Sequence, residues 1–154
     1  MDIASNMIAM ARNKLKYHKD TQFIVDDFSN LNPNGGYDAI VSSLALHHLE
    51  TNSEKKAFYR KIFNALKPGG IFMNADVVLA SNDLLQNTYM DRWVEYIERS
   101  VPHEDIWNKW IPTYETEDHP ARLTDQLVWL RESGFSETEV VWKYYNFAVY
   151  GGVK

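Results

Sequence analysis

His47 and His48 stand side by side in the stretch Ser42-Ser43-Leu44-Ala45-Leu46-His47-His48, and Asp76 lies near the end of the next apolar run. An imidazole and a carboxylate can each take a proton from a hydroxyl or an amine, so His47, Asp76 and the tyrosines within residues 81–122 are the available general bases. No motif singles one of them out. A vicinal histidine pair can also hold a metal, but adjacent residues point in different directions and no ligand cluster accompanies this pair along the chain. No metal is therefore expected. Carboxylates recur at Asp2 and at Asp26-Asp27. Adjacent acidic residues after a strand read as a solvated turn, and Asp2 as a terminal residue.

The elements that must position these groups are well signalled. Ala39, Ile40 and Val41 form a short apolar run that breaks at Ser42 and Ser43, as a parallel strand does where it leaves its sheet. Ligands of open α/β sheets bind just outside such carboxyl ends, which makes Ser42 to His48 the first place to look for a site. Thr51 and Glu54 have capping-box spacing. Ala57, Phe58, Ile62, Ala65 and Leu66 then recur on one helical face, and Lys67-Pro68-Gly69-Gly70 is expected to stop that helix before a strand begins at Ile71.

Upstream, Met7, Ile8, Met10, Ala11 and Leu15 predict a helix that Ser5 can cap, and Gln22-Phe23-Ile24-Val25 predicts a short strand. Asn32-Pro33-Asn34-Gly35-Gly36 reads as a turn. Downstream, Leu84, Leu85, Tyr89, Trp93 and Ile97 predict a helix beginning near Ser81, and Ile106, Trp107 and Trp110 a second apolar face after Pro102. Residues 114–120 read as an acidic linker. A helix from Leu123 closes at Gly134, and two strands, Glu139 to Tyr144 and Phe147 to Tyr150, form a terminal antiparallel hairpin.

A chain of 154 residues is expected to be one domain, burying roughly 70 % of the surface its unfolded form exposes. Sixteen basic against twenty-one acidic residues give a net charge of −5, which argues against a nucleic-acid partner. With no cysteine, disulfides, thiolate catalysis and cysteine-ligated metals are excluded, and the composition fits the cytoplasm. The most apolar stretch, Ala39 to Leu49, is too short to span a bilayer, and Met1-Asp2 does not begin a signal peptide. All five tryptophans lie beyond residue 90, so the second half is expected to build a pocket or an interface.

Tyr37 to Leu49 (YDAIVSSLALHHL) followed by Leu66 to Val78 (LKPGGIFMNADVV) resembles strands four and five of class I S-adenosylmethionine-dependent methyltransferases, specifically type 11/12-like domains. Leu130 to Phe135 (LRESGF) resembles that family's helix before strand six. The resemblance extends over residues 2–154, but the family's glycine-rich DxGxGxG loop is absent. It implies an α/β, Rossmann-like, three-layer fold, mostly parallel with an antiparallel C-terminal strand and N-terminally truncated, in a single domain 1–154 with a helical insertion at about residues 81–122. It implies S-adenosylmethionine as cofactor, with Asp2 on the ribose hydroxyls, Asp27 and Phe28 at the adenine, and Ser43 and Leu44 contacting through backbone atoms. His48 would fix its loop and His47 face the methyl-transfer cleft. The insertion, with Tyr89, Trp93, Trp107 and Trp110, would contact a small-molecule acceptor.

Methyl transfer from a sulfonium is an in-line displacement that a protein accelerates largely by positioning in a dry cleft, so the donor is legible where the acceptor is not. A nucleotide-linked dehydrogenase fits less well, since it leaves LKPGG unexplained. The alternative of another class is a non-catalytic methyltransferase-like fragment acting as a binding or oligomerisation module. Family members place a strand, the glycine loop and a helix, about 40 to 50 residues, before the point where this chain starts. With strand one and nearly all of strand two missing, the strand at Asp38 to Val41 would lose a neighbour. Either Gln22 to Val25 slides beside it, giving a five-stranded sheet in the family order 3-4-5-7-6, or two chains form a homodimer through that edge.

Overall fold

The computed structural model describes residues 1–30 and 36–154. The turn expected at Asn32, Pro33, Asn34 and Gly35 lies outside them. The chain forms two compact units, Met1–Asn34 and Gly35–Lys154.

In the first unit, helix α1 spans Ser5–Lys14 and buries Ile8. Its N-cap is Ala4, with no side-chain cap, so Ser5 is the first helical residue rather than the cap. The Ala4 amide instead donates to Asp2 Oδ1 at 2.8 Å. The Asp2 amide donates to the Ile24 carbonyl at 3.2 Å and the Asp26 amide to the Asp2 carbonyl at 3.1 Å. These bonds make a parallel bridge between Asp2 and Val25, and the strand expected at Gln22 to Val25 contracts to that bridge. A 3-10 turn, Phe28–Asn30, follows.

The second unit is a four-stranded sheet of β1 (Tyr37–Ser43), β2 (Leu66–Val77), β3 (Ser136–Tyr144) and β4 (Phe147–Val153), in the order β1-β2-β4-β3. β1 and β2 are parallel; β4 runs antiparallel to both β2 and β3. The C-terminal strand therefore inserts between β2 and β3 as the antiparallel member of an otherwise parallel sheet.

Among the described residues the sheet has four strands, not five: β1 pairs there with β2 alone, and Val41 on it is 73 % exposed. The five-strand expectation rested on β1 being buried, so that unpaired amides would be costly; an edge open to solvent lets water take those bonds instead.

Helix α2 (Asn52–Ala65) begins with the expected capping box: Thr51 Oγ1 accepts from the Glu54 amide at 3.2 Å, and Glu54 Oε2 from the Thr51 amide at 2.8 Å. Its end differs from expectation. Leu66 is already extended, so Lys67-Pro68-Gly69-Gly70 belongs to β2 and does not cap the helix. Tyr37 faces Leu66 while Ala39 faces Ile71, which leaves residues 67–70 as a bulge opposite β1. Gly69 supplies the positive φ of 76°, and its amide donates to the Lys154 carbonyl at 2.8 Å, tying the bulge to the C-terminus.

Along β2, Phe72, Asn74 and Asp76 point to the buried face, as a period of two requires. Phe72 packs against Tyr59 of α2 and against Phe135, each with ring centroids 5.9 Å apart. Leu130 of α6 (Leu123–Glu132) completes this layer, and Gly134, at φ 109°, ends α6.

Between β2 and α6 lie α3 (Asp83–Ile97), capped by Asn82, then a helical run of α4 (His103–Asp105), a π turn (Ile106–Trp110) and α5 (Ile111–Glu117). The supposed linker at 114–120 is thus helical as far as Glu117. None of the described helices is long and apolar enough to cross a membrane.

Candidate functional site at the carboxyl ends of the strands

β1 ends at Ser43, and the chain turns sharply there. Leu44 has φ 48°, an uncommon conformation for a side-chain-bearing residue, and is held by its amide donating to the Ala75 carbonyl at 2.9 Å. The 3-10 turn Leu46–His48 follows, next to the end of β2.

Asp76 organises this end of the sheet. Its Oδ1 accepts from the Val77 amide at 2.9 Å and faces His47 Nδ1 at 2.5 Å; its Oδ2 accepts from the His47 amide at 3.1 Å and from Asn74 Nδ2 at 3.2 Å. Asp76 and His47 are both buried. A carboxylate with this many donors is saturated, so Asp76 orients His47 rather than acting as a free base. With Nδ1 carrying the proton towards Asp76, the lone pair of His47 sits on Nε2.

That nitrogen faces Asp118, whose Oδ1 is 3.4 Å away; the same oxygen is 3.6 Å from His48 Nδ1. Asp118 reaches the turn because α5 ends at Glu117 and the next amide but one, that of His119, donates to the His47 carbonyl at 2.9 Å. The sequence expectation had His48 packed and His47 open. The structure exchanges them: His47 is buried, and the His48 side chain is 50 % exposed.

A buried polar network continues from Asp76 into the core. Asn74 Nδ2 also donates to the Tyr150 hydroxyl at 2.9 Å; Tyr150 donates to Gln126 Oε1 at 2.5 Å, as does the Tyr59 hydroxyl. Burial raises the pKa of both phenols above the ordinary value, with the neighbouring phenol adding to the rise at Tyr59. Above pH 10 the unfolded tyrosines lose protons that the folded ones keep, so stability falls as pH rises, by about 1.4 kcal/mol per pH unit for each tyrosine. Lys55, whose ammonium is depressed by burial, opposes this trend. Urea midpoints measured from pH 9 to 11 should decline less steeply for Tyr150→Phe than for the wild type; parallel declines would show that the network does not hold these protons.

Of the four expected acceptor residues, the structure brings only Trp93 to the cavity beside this strand end. That cavity, of about 370 Å³, is lined by Trp93, Tyr96, Trp142, Tyr144, Phe147 and the Arg92 side chain, among others. Phe147 pairs with Val77, the last residue of β2, which places the cavity at the same end of the sheet as Leu44 and His47. Tyr89 instead packs on Tyr145, and its hydroxyl accepts from Lys143 Nζ at 2.7 Å. Trp107 lines a separate hollow with Met90, Val94 and Ile111, and Trp110 lines neither.

In the first unit, Asp2 is occupied with the Ala4 amide, and Asp27 Oδ1 accepts from the Ser29 amide at 2.7 Å, which lowers its pKa. Phe28 opens the 3-10 turn that follows.

Residues 1–70 match the family model for a methyltransferase domain. The chain is 26 % identical over 151 residues to carboxy-S-adenosyl-L-methionine synthase of Nautilia profundicola, covering 97 % of this chain and 64 % of that protein. It is also 26 % identical over 110 residues to malonyl-[acyl-carrier protein] O-methyltransferase 2 of Ilyobacter polytropus, covering 69 % and 40 %. The fold superposes with a TM-score of 0.61 on the N-methyltransferase NodS from Bradyrhizobium japonicum, solved with S-adenosyl-L-homocysteine, at 16 % identity over 98 % of this chain and 64 % of that one. These likenesses support a class I S-adenosylmethionine-dependent methyltransferase fold for the chain.

The chain spans 64 % of the length of the synthase. Two groups of its site were missed in the sequence. Trp142 and Tyr144 stand two apart on one strand and so share a face, a signal that was present in the hairpin. Asp118 carried no comparable signal, because its relation to His47 exists only after the chain has passed through α3, α4 and α5.

Proposed function

We propose that the protein transfers a methyl group from S-adenosylmethionine to a small-molecule acceptor. The observation that carries this reading is the saturated Asp76–His47 pair beside the left-handed turn at Leu44, at the strand ends where α/β sheets bind ligands. Asp2, Asp27 and Phe28 in the first unit, and Ser43 and Leu44 in the second, are the proposed cofactor contacts. The saturated Asp76 is a positioning residue, and His47 Nε2 is the atom that can accept a proton from a hydroxyl or amine acceptor. The acceptor is proposed to lie against Trp93 and its aromatic neighbours. A net charge of −5 supports a small molecule over a nucleic acid, and the cysteine-free composition supports a cytoplasmic setting.

Calorimetric titration of the protein with S-adenosylmethionine and with S-adenosylhomocysteine tests the reading. Binding is expected, and Asp27→Ala should weaken it by about 1 to 3 kcal/mol, the cost of leaving a donor of the bound ligand unpaired. Absence of heat with both ligands would refute the cofactor assignment. Trp93→Ala should raise the KM for the acceptor and leave cofactor affinity unchanged; the reverse pattern would make Trp93 a packing residue only. The open edge of β1 is a proposed homodimer contact, and light scattering of the purified protein at increasing concentration should then show a dimer mass.

A further inference from the structure

We infer that His47, His48 and Asp118 form a binding site for one divalent transition-metal ion of the zinc class. The three residues offer His47 Nε2, His48 Nδ1 and Asp118 Oδ1, all within 4.8 Å of one another. The separations of 3.4 and 3.6 Å from the carboxylate oxygen to the two nitrogens exceed ordinary hydrogen-bond lengths. They match instead the edge between two ligands of a tetrahedral ion, which is about 3.3 Å for metal–ligand bonds of about 2.0 to 2.1 Å.

Three further features fit a metal. His47 Nδ1 is engaged by buried Asp76 at 2.5 Å, the carboxylate–histidine arrangement that fixes a tautomer and directs the Nε2 lone pair outward to an ion. Two imidazoles and one carboxylate form a borderline nitrogen and oxygen donor set, which suits zinc better than magnesium or calcium. His48 and Asp118 are only partly covered, so an ion held here keeps a coordination position open to solvent or to an acceptor atom. The two adjacent histidines converge because the 3-10 turn folds their rings to a centroid distance of 4.1 Å, which overcomes the divergence expected of neighbouring residues.

The site shares His47 with the proposed methyl-transfer reaction and rests on that reading only for its consequence: a coordinated hydroxyl ionises more easily, so the ion would do the work otherwise left to the Nε2 lone pair. Binding itself is independent of any methyl donor.

The test is calorimetric titration of the tag-free protein with ZnCl2, with visible absorption after addition of CoCl2 as a second readout. One Zn²⁺ per chain is expected, together with the d–d bands of a four- or five-coordinate Co²⁺ site. Asp118→Asn and His48→Ala alter partly exposed side chains, and each should weaken Zn²⁺ binding by at least about tenfold and remove the Co²⁺ bands. His103→Ala, at an exposed histidine paired with Glu98, should change neither. No stoichiometric Zn²⁺ binding by the wild type, or equal binding by the Asp118→Asn and His48→Ala variants, would overturn the assignment. Zn²⁺ binding by a protein that binds no S-adenosylmethionine would leave the metal site standing and remove the proposed reaction.

Discussion

Replacing Asp76 by alanine is expected to destabilise the second unit by about 3 to 5 kcal/mol, measured by urea unfolding followed by tryptophan fluorescence. Asp76 is 3 % exposed and faces four donors: the amides of His47 and Val77, Asn74 Nδ2 and His47 Nδ1. Alanine takes this acceptor from the His47 and Val77 amides and from His47 Nδ1 in a space that excludes bulk water, while Asn74 Nδ2 keeps its bond to the Tyr150 hydroxyl. Each unsatisfied buried group costs about 1 to 3 kcal/mol, and local relaxation recovers part of the total.

Asp76→Asn is the sharper comparison, because it keeps the volume but removes the charge and half of the acceptor capacity. It should fall between wild type and alanine in stability. A loss below about 1 kcal/mol for Asp76→Ala would show that the strand end is held by packing alone.

Gly151→Ala is expected to be still more damaging and to leave little folded protein. Gly151 sits in β4 opposite Met73 of β2. A Cβ added there would lie 1.9 Å from the Phe72 carbonyl oxygen and 2.9 Å from Met73 Sδ. The sulfur can move, but the carbonyl belongs to the backbone ladder that joins β2 to β4. Relief requires the two central strands to separate, which breaks their hydrogen bonds and uncovers Phe72, so the loss should exceed about 4 kcal/mol.

Far-ultraviolet circular dichroism and the soluble yield measure this outcome. Gly36→Ala, where nothing lies within 4 Å of the added carbon, is the control and carries only the strain of its positive φ. A Gly151→Ala protein with wild-type unfolding midpoint would mean that β2 and β4 are not packed at this register.

The local devices of this chain were legible in its sequence because each depends on residues a few positions apart. The Thr51–Glu54 capping box forms as written, since both partners lie on one helical turn. The terminal hairpin and the stop at Gly134 form for the same reason, through backbone preferences that act over short range. The apolar run at Ile40 and Val41 identified a strand end, and the turn at Leu44 lies there. Where local signals competed, the reading slipped: Pro68 and Gly69 are as compatible with a strand bulge as with a helix stop, and pairing with Tyr37 and Lys154 chose the bulge.

The site itself was decided by tertiary structure. His47 and Asp76 were both candidates, but nothing in their spacing says that they touch; adjacent parallel strands bring them together at one end of the sheet. Neighbouring histidines diverge on an extended chain, and only the 3-10 turn folds both rings towards Asp118, a residue positioned by the end of a helix and one backbone hydrogen bond. The status of β1 belongs to the same class of fact. Its apolar residues mark a strand, but whether that strand is central or an edge depends on which segments pair with it, and pairing is a property of distant parts of the chain.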